Sequence, residues 1–257
     1  MALGVGGAGT DARANLRAPL MVLASPSGGL HGTAAGLSVR GEKLGFDCDP
    51  MQCRVRATYA VRAAAAGRFA FAFVLPVARP IAVKVGGTMP DVAVEETVEV
   101  PPSHSMVRDE SGRTPKTWEA KFEATLEIGD GTITVEYDQP LGSTEHDYGY
   151  FKSHGRMVSD FEYILGPIKD WAMDPGFQIE LTVAMPRSAP GWWKRHFGTV
   201  QGIACASSNW RVVDGKGEQK GERYVHTVLL AGRDFPDRIN CYLGDEDLLP
   251  KKSKDQK

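Results

Sequence analysis

The residues best suited to chemistry sit in two short aromatic stretches. In the first, His146, Asp147 and His154 surround Tyr148 and Tyr150, and Arg156 follows. Histidine and aspartate on one loop are a donor set for a divalent metal. The spacing speaks against one, because His146-x7-His154 fits no zinc signature. On an extended strand the two imidazoles stand about 26 Å apart. They share an ion only if the segment bends, for example at Gly149. Read instead as a polar loop, the stretch offers ring faces flanked by hydrogen-bonding groups. The second stretch is Trp192-Trp193-Lys194-Arg195-His196-Phe197. Adjacent tryptophans beside cations suit a sugar face or a membrane interface. Extended, the two rings point to opposite sides, so one can close a core while the other stays exposed. The candidate ligand-binding residues are therefore Tyr148, Tyr150, His154, Arg156, Trp192, Trp193, Lys194 and His196.

Nucleophilic catalysis finds little support. No G-x-S-x-G elbow occurs, and Ser153 and Ser207-Ser208 have no recognisable context. Glu95-Glu96 and Asp245-Glu246-Asp247 are neighbours in sequence and read as solvated edges rather than an acid–base pair. The glycine-rich stretches 4–9 and 28–36 lack the P-loop lysine and a following helix. No catalytic residue, metal or cofactor is assigned. A formal net charge of −2 removes the electrostatic reason to expect nucleic acid.

The elements that must position these residues are strands. A length of 257 residues fits one large β domain or two small ones. No apolar run approaches the ~18 residues of a membrane span. Residues 1–35 are rich in Gly, Ala, Ser and Thr and read as a disordered leader. Their apolar run, Pro19 to Ala24, is shorter than a signal-peptide core of ~7–15 residues.

Four cysteines punctuate the chain. Cys48 and Cys53 flank an Asp-Pro-Met-Gln turn, and Cys205 and Cys241 lie far apart. The simplest of three pairings is Cys48–Cys53 with Cys205–Cys241. Free thiols and a zinc site are the alternatives. Three consecutive antiparallel strands are expected around the first pair, the last being Phe69–Leu75, ended by Pro76. Gly41 interrupts the opening strand, 36–46, and reads as a bulge.

Val92 to Val100 alternates valine with glutamate, as a strand with one wet face does. Trp118, Phe122, Leu126 and Ile128 share one parity, and Ile133, Val135 and Tyr137 share another. Asp130-Gly131 between them suggests a hairpin that buries all seven. Met157 to Trp171 reads as a strand to Leu165, then one or two helical turns opening at Pro167. Phe177–Val183 is a plain strand. Trp210–Val213 and Arg223–Leu230 form a second long hairpin, with 214–221 as its loop. Ile239–Leu243 is the last strand.

The pattern predicts an all-β fold, an antiparallel β-sandwich, one large or two small, with at most one or two short helical segments. The expected divisions are a leader at 1–35, a sandwich at 36–140, a second β region or its continuation at 141–245, and a disordered tail at 246–257.

Cys53-x-Val55-x-Ala57-x-Tyr59 followed by Phe71-Ala-Phe73-Val-Leu75-Pro76 resembles the opening of uncharacterised bacterial exported β-sandwich proteins. There a Y-x-V strand precedes a strand ending F-P-L-P. Tyr163-Ile-Leu165 with Gly166-Pro167 and Trp171 is similar to their second shared segment. The present FVLP departs from the usual form. The resemblance implies a periplasmic, envelope or otherwise exported location, and it carries over no functional residue. The expected function is a non-catalytic binding or structural module, its partner a glycan or a protein surface. The alternatives are a subunit of a larger assembly and a hydrolase with a site near 146–156.

Overall fold

The computed structural model describes residues 15–16, 20–21, 36–75, 79–97, 117–146, 156–186, 201–207 and 211–252. The first strands are β1 (Asn15–Leu16), β2 (Leu20–Met21), β3 (Leu37–Cys48), β4 (Gln52–Ala63), β5 (Gly67–Leu75), β6 (Ala82–Val85), β7 (Val92–Thr97) and β8 (Thr117–Leu126). They are followed by β9 (Gly129–Pro140), β10 (Gly142–His146), β11 (Arg156–Ile164), β12 (Ala172–Pro186), β13 (Gln201–Ser207), β14 (Gly215–Lys220), β15 (Arg223–Ala231) and β16 (Arg238–Asp245). A 3-10 turn, Gly166–Asp170, joins β11 to β12 and carries Pro167 at its start. There the fixed φ of proline fits and its missing N–H costs nothing.

The strands build an all-β sandwich. Its large sheet has the order β14-β15-β12-β3-β4-β9-β6. A second sheet runs β1-β5-β8-β7, with β2 also on β5, and a third runs β10-β11-β16-β13. Both smaller sheets cover one face of the large one. Phe73 of β5 meets Tyr137 of β9 at 5.6 Å between ring centres, and Phe46 of β3 stacks on Phe161 of β11 at 4.3 Å. Alternation explains this: β4 buries every second residue from Cys53 to Ala63, and β9 does so from Ile133 to Tyr137. The buried apolar side chains of all three sheets form one contiguous cluster.

Both expected disulfides are present, and in each the two cysteines face each other in register. Cys48–Cys53 closes the β3–β4 pair, and Cys205–Cys241 joins β13 to β16. The bulge also occurs: the β3–β4 register shifts between Val39 and Gly41. Leu37 and Val39 face inward before it; Glu42, Leu44, Phe46 and Cys48 face inward after it. One extra residue has exchanged the two faces of the strand.

Pairing departs from the sequence reading in four places. First, β8 and β9 are not a hairpin. β8 pairs with β5 and β7, while β9 pairs with β4 and β6. Each strand has one apolar face, and these faces meet across the sandwich rather than side by side. Ile128 lies in the crossing between the sheets and is 71% exposed, so its core assignment is wrong. Second, β5 leaves β4 for the opposite sheet in the same way, and β9 takes the place beside β4.

Third, β3 and β12 run parallel, which breaks the wholly antiparallel order. A parallel pair needs a long crossover, and here the intervening chain builds β4 to β11. Fourth, the expected loop 214–221 contains β14, which pairs with β15 across Gly221-Glu222. All six β14 residues are exposed, so no apolar alternation marks it. Val212, expected in that hairpin, bridges to Ala206 instead. The stretch 1–35 reads as a leader, yet β1 and β2 within it pair with β5.

Candidate functional site

Tyr148, Tyr150 and His154 lie outside the described residues, as do Trp192, Trp193, Lys194 and His196. Arg156 opens β11, where its backbone pairs with that of His146 in β10. The anchors of the two aromatic stretches are nevertheless defined. The first runs between His146 and Arg156. The second runs between Pro186 of β12 and Gln201 of β13.

These anchors share one end of the sandwich. On β16, Asp245 pairs with Gln201 and Gly244 pairs with Val158, so β11 and β13 begin at the same level on either side of it. Tyr163 of β11 reaches Glu42, whereas Phe161 lies over Phe46. Moving from Glu42 to Cys48 along β3 is therefore moving from Tyr163 towards Arg156 along β11. Beside β3, Ala184 pairs with Asp47, and β12 ends two residues later at Pro186. Both stretches thus leave from the end closed by Cys48–Cys53.

That end is tied by more than the disulfide. The Arg223 guanidinium binds the Asp47 carboxylate and donates to the carbonyls of Cys48 and Ala184, each at 3.2 Å. One side chain of β15 thereby holds β3 and β12. The Asp49 carboxylate accepts from the amides of Met51 at 2.7 Å and Gln52 at 2.8 Å, fixing the turn. The Leu141 amide donates to the Met51 carbonyl at 3.0 Å, which docks the β9–β10 connection on the same turn. Towards the other end of β11 and β16, Glu162 and Arg238 pair at 3.2 Å with side chains only 15% and 7% exposed. Burial, then the Asp160 charge, pushes the nearby Tyr242 phenol above its ordinary value.

A carboxyl is buried between the layers. Glu42 is 1% exposed. The Tyr163 hydroxyl donates to its Oε1 at 3.2 Å and lies 3.4 Å from the Tyr59 hydroxyl. Tyr137 donates to Gln139 Oε1 at 3.2 Å, and Gln139 Nε2 donates to the Glu162 carbonyl at 3.3 Å. Burial pushes Glu42 up to about 8, with hydrogen bonds from Tyr59 and Tyr163 pulling the other way. The same burial raises the Tyr137 and Tyr163 phenols well above their usual range. Sequence reasoning missed this carboxyl, although the signal was there. Leu37 and Val39 are odd, Leu44 and Phe46 are even, and Gly41 stands between, so the parity change places Glu42 with the core set.

The solvent face of the large sheet carries a shallow groove of about 540 Å³, bordered by Arg40, Lys43, Thr58, Thr132, Asp174 and Glu180. Arg40 binds Asp130 at 2.6 Å and approaches Asp174 at 3.7 Å. Arg62 holds the same two carboxylates at 2.9 and 3.7 Å. Arg62, with Arg40 beside it, keeps the Asp130 carboxyl below its usual value. Lys43 and Glu180 are register neighbours on the groove floor. Among the described residues, no group of three or more His, Cys, Asp or Glu is placed to hold a metal.

No family model matches the chain, and no curated protein does. Solved structures that match over most of this chain include an M1 zinc metallopeptidase variant of Deinococcus radiodurans bound to a Tyr-Ser-Ala substrate. It shares 12% identity over 82% of this chain, with a TM-score of 0.40. The chain spans 43% of the length of that peptidase. A second is a candidate nutrient-binding protein of Legionella pneumophila, at 7% identity and a TM-score of 0.48, covering 90% of this chain and 72% of the other. Likeness at this level carries no argument about ligand or chemistry.

Proposed function

We propose that the protein is an exported, non-catalytic binding module whose ligand surface is the disulfide-closed end of the sandwich. The observation that carries this reading is the shared anchoring of the two aromatic-rich stretches at that end. Tyr148, Tyr150, His154 and Arg156 belong to one; Trp192, Trp193, Lys194 and His196 belong to the other. Rings flanked by donors bring apolar area at small entropic cost and suit a sugar face or a peptide side chain. Sandwiches commonly present binding groups on connections at one end, where a rigid scaffold holds them. Two disulfides support export, because such bonds persist in oxidising compartments. The described residues form no helix long and apolar enough to cross a membrane.

The test is a glycan and peptide array. It compares the wild type with Trp192→Ala/Trp193→Ala, Tyr148→Ala/Tyr150→Ala and Lys43→Ala/Glu180→Ala. The reading expects loss of binding in both aromatic variants and retention in the groove variant. Binding that survives in both aromatic variants and disappears in the groove variant would move the site to the solvent face of the large sheet.

A further inference from the structure

We propose that Glu42 is a proton-operated latch: as a neutral acid it fastens β11 to the large sheet, and on losing its proton it lets β11 go. The geometry that carries this begins with the bulge. If β3 alternated regularly through Gly41, with no register shift, Glu42 would share the solvent face with Arg40 and Lys43 would turn inward. With the shift, the carboxyl enters the core beside Tyr59, its partner on β4. A Cβ at Gly41 would stand 3.1 Å from the Gln178 carbonyl of β12, so the tight approach favours glycine here. The carboxyl then meets Tyr163, which hangs from the opposing sheet. One hydrogen bond therefore spans the two layers at a group that can change charge.

Every group facing Glu42 is neutral or apolar. Tyr59 comes from β4, Tyr137 from β9 and Tyr163 from β11, while Ile179 is its register neighbour on β12. Trp171, beyond the 3-10 turn, stacks on Tyr59. The charged residues of the same elements lie elsewhere. Arg40, Lys43, Arg56, Arg62, Glu136 and Glu180 are on the solvent face of the large sheet. Glu162 and Arg238 pair with each other on the far face of the third sheet, and Lys169 pairs with Asp237. An ionised carboxylate would have phenol hydroxyls but no cation, and buried charge without a counter-charge is strongly destabilising. A neutral carboxyl carries no such penalty.

The direction of the pH effect follows. The pKa is 4.5 unfolded and about 8 folded. The contribution of Glu42 to stability is complete below pH 4.5 and is lost as pH rises to 8, because the folded state must keep a proton that the unfolded state releases. The folding equilibrium constant should fall by up to about tenfold per pH unit within that window.

The experiment uses the full chain. Urea unfolding from pH 5 to pH 9 is compared between wild type and Glu42→Gln, and amide exchange is followed at pH 6 and pH 8.5. The expected results are a wild-type stability that declines with pH relative to the variant, and exchange in β11 that rises earlier than in β5 and β8. Parallel pH profiles for the two proteins would overturn the assignment of Glu42. Exchange that rises equally in β11, β5 and β8 would overturn the latch. If Glu42→Gln does not fold, infrared spectra of the wild type decide. A protonated-carboxyl band present at pH 6 and lost by pH 9 supports the proposal, and its absence at pH 6 refutes it.

Discussion

Opening the two disulfides should cost unequal amounts, and the inequality can be worked from the chain. Cys205–Cys241 spans 36 residues and Cys48–Cys53 spans 5. In the chain-entropy model, the cross-link removes about 13 cal/mol/K from the unfolded ensemble for the long loop and about 7 for the short one. At 25 °C these become about 4 and about 2 kcal/mol. All four cysteines are fully buried, so replacing either pair with alanine leaves a similar packing defect. The loop difference should therefore survive. With a urea m-value of about 2.5 kcal/mol/M, Cys205→Ala/Cys241→Ala should lower the midpoint by about 1.6 M and Cys48→Ala/Cys53→Ala by about 0.8 M. Binding should follow the reverse order, since the short loop closes the proposed ligand end. A short-loop variant that unfolds at the same urea concentration as the long-loop variant, or earlier, would refute the entropic reasoning.

Three further outcomes can be checked by chemical denaturation. Phe122, 3% exposed and stacked on Phe71 at 5.1 Å, should lose about 3–5 kcal/mol on change to alanine. Ile128→Ala should stay within about 0.5 kcal/mol, because the side chain is at the surface; a large loss there would restore it to the core. Gly215→Ala would place a methyl 2.2 Å from the His226 ring and should cost about 1–3 kcal/mol, as overpacking does. Gly217→Ala would place a methyl 2.1 Å from the Tyr224 hydroxyl oxygen and 2.9 Å from the ring carbon that bears it, and should cost a similar amount.

Face was legible in the sequence where partner was not. The parity of Phe69, Phe71 and Phe73, and of Phe122 and Leu126, marked the buried side of β5 and β8. A period of two says which side of a strand is buried and nothing about which strand lies beside it. For that reason Asp130-Gly131 suggested a hairpin where the chain in fact changes sheets, and Asp130 spends its carboxylate on Arg40 and Arg62. The cysteine pairing was readable because each pair sits in facing positions of adjacent strands. β14 was hidden by composition. Gly215 and Gly217 leave room for the rings of His226 and Tyr224, so the strand is recognisable only through its neighbour. Arg223 shows the other limit. A clamp between residues that are 176 apart has no local signature.

The parallel pairing of β12 with β3 has a consequence in time. During synthesis β3 and β4 can zip as soon as both have emerged, but the other edge of β3 must wait for β12. Roughly 120 residues of chain separate the end of one from the start of the other, which at ~5–20 residues per second is about 6–25 s of translation. Through that interval β3 presents open backbone donors and acceptors, the surface on which chains join wrongly. The bulge at Gly41 interrupts that edge, and Arg40 and Lys43 charge it. The same kink that turns Glu42 inward thus guards the unfinished sheet until its partner arrives.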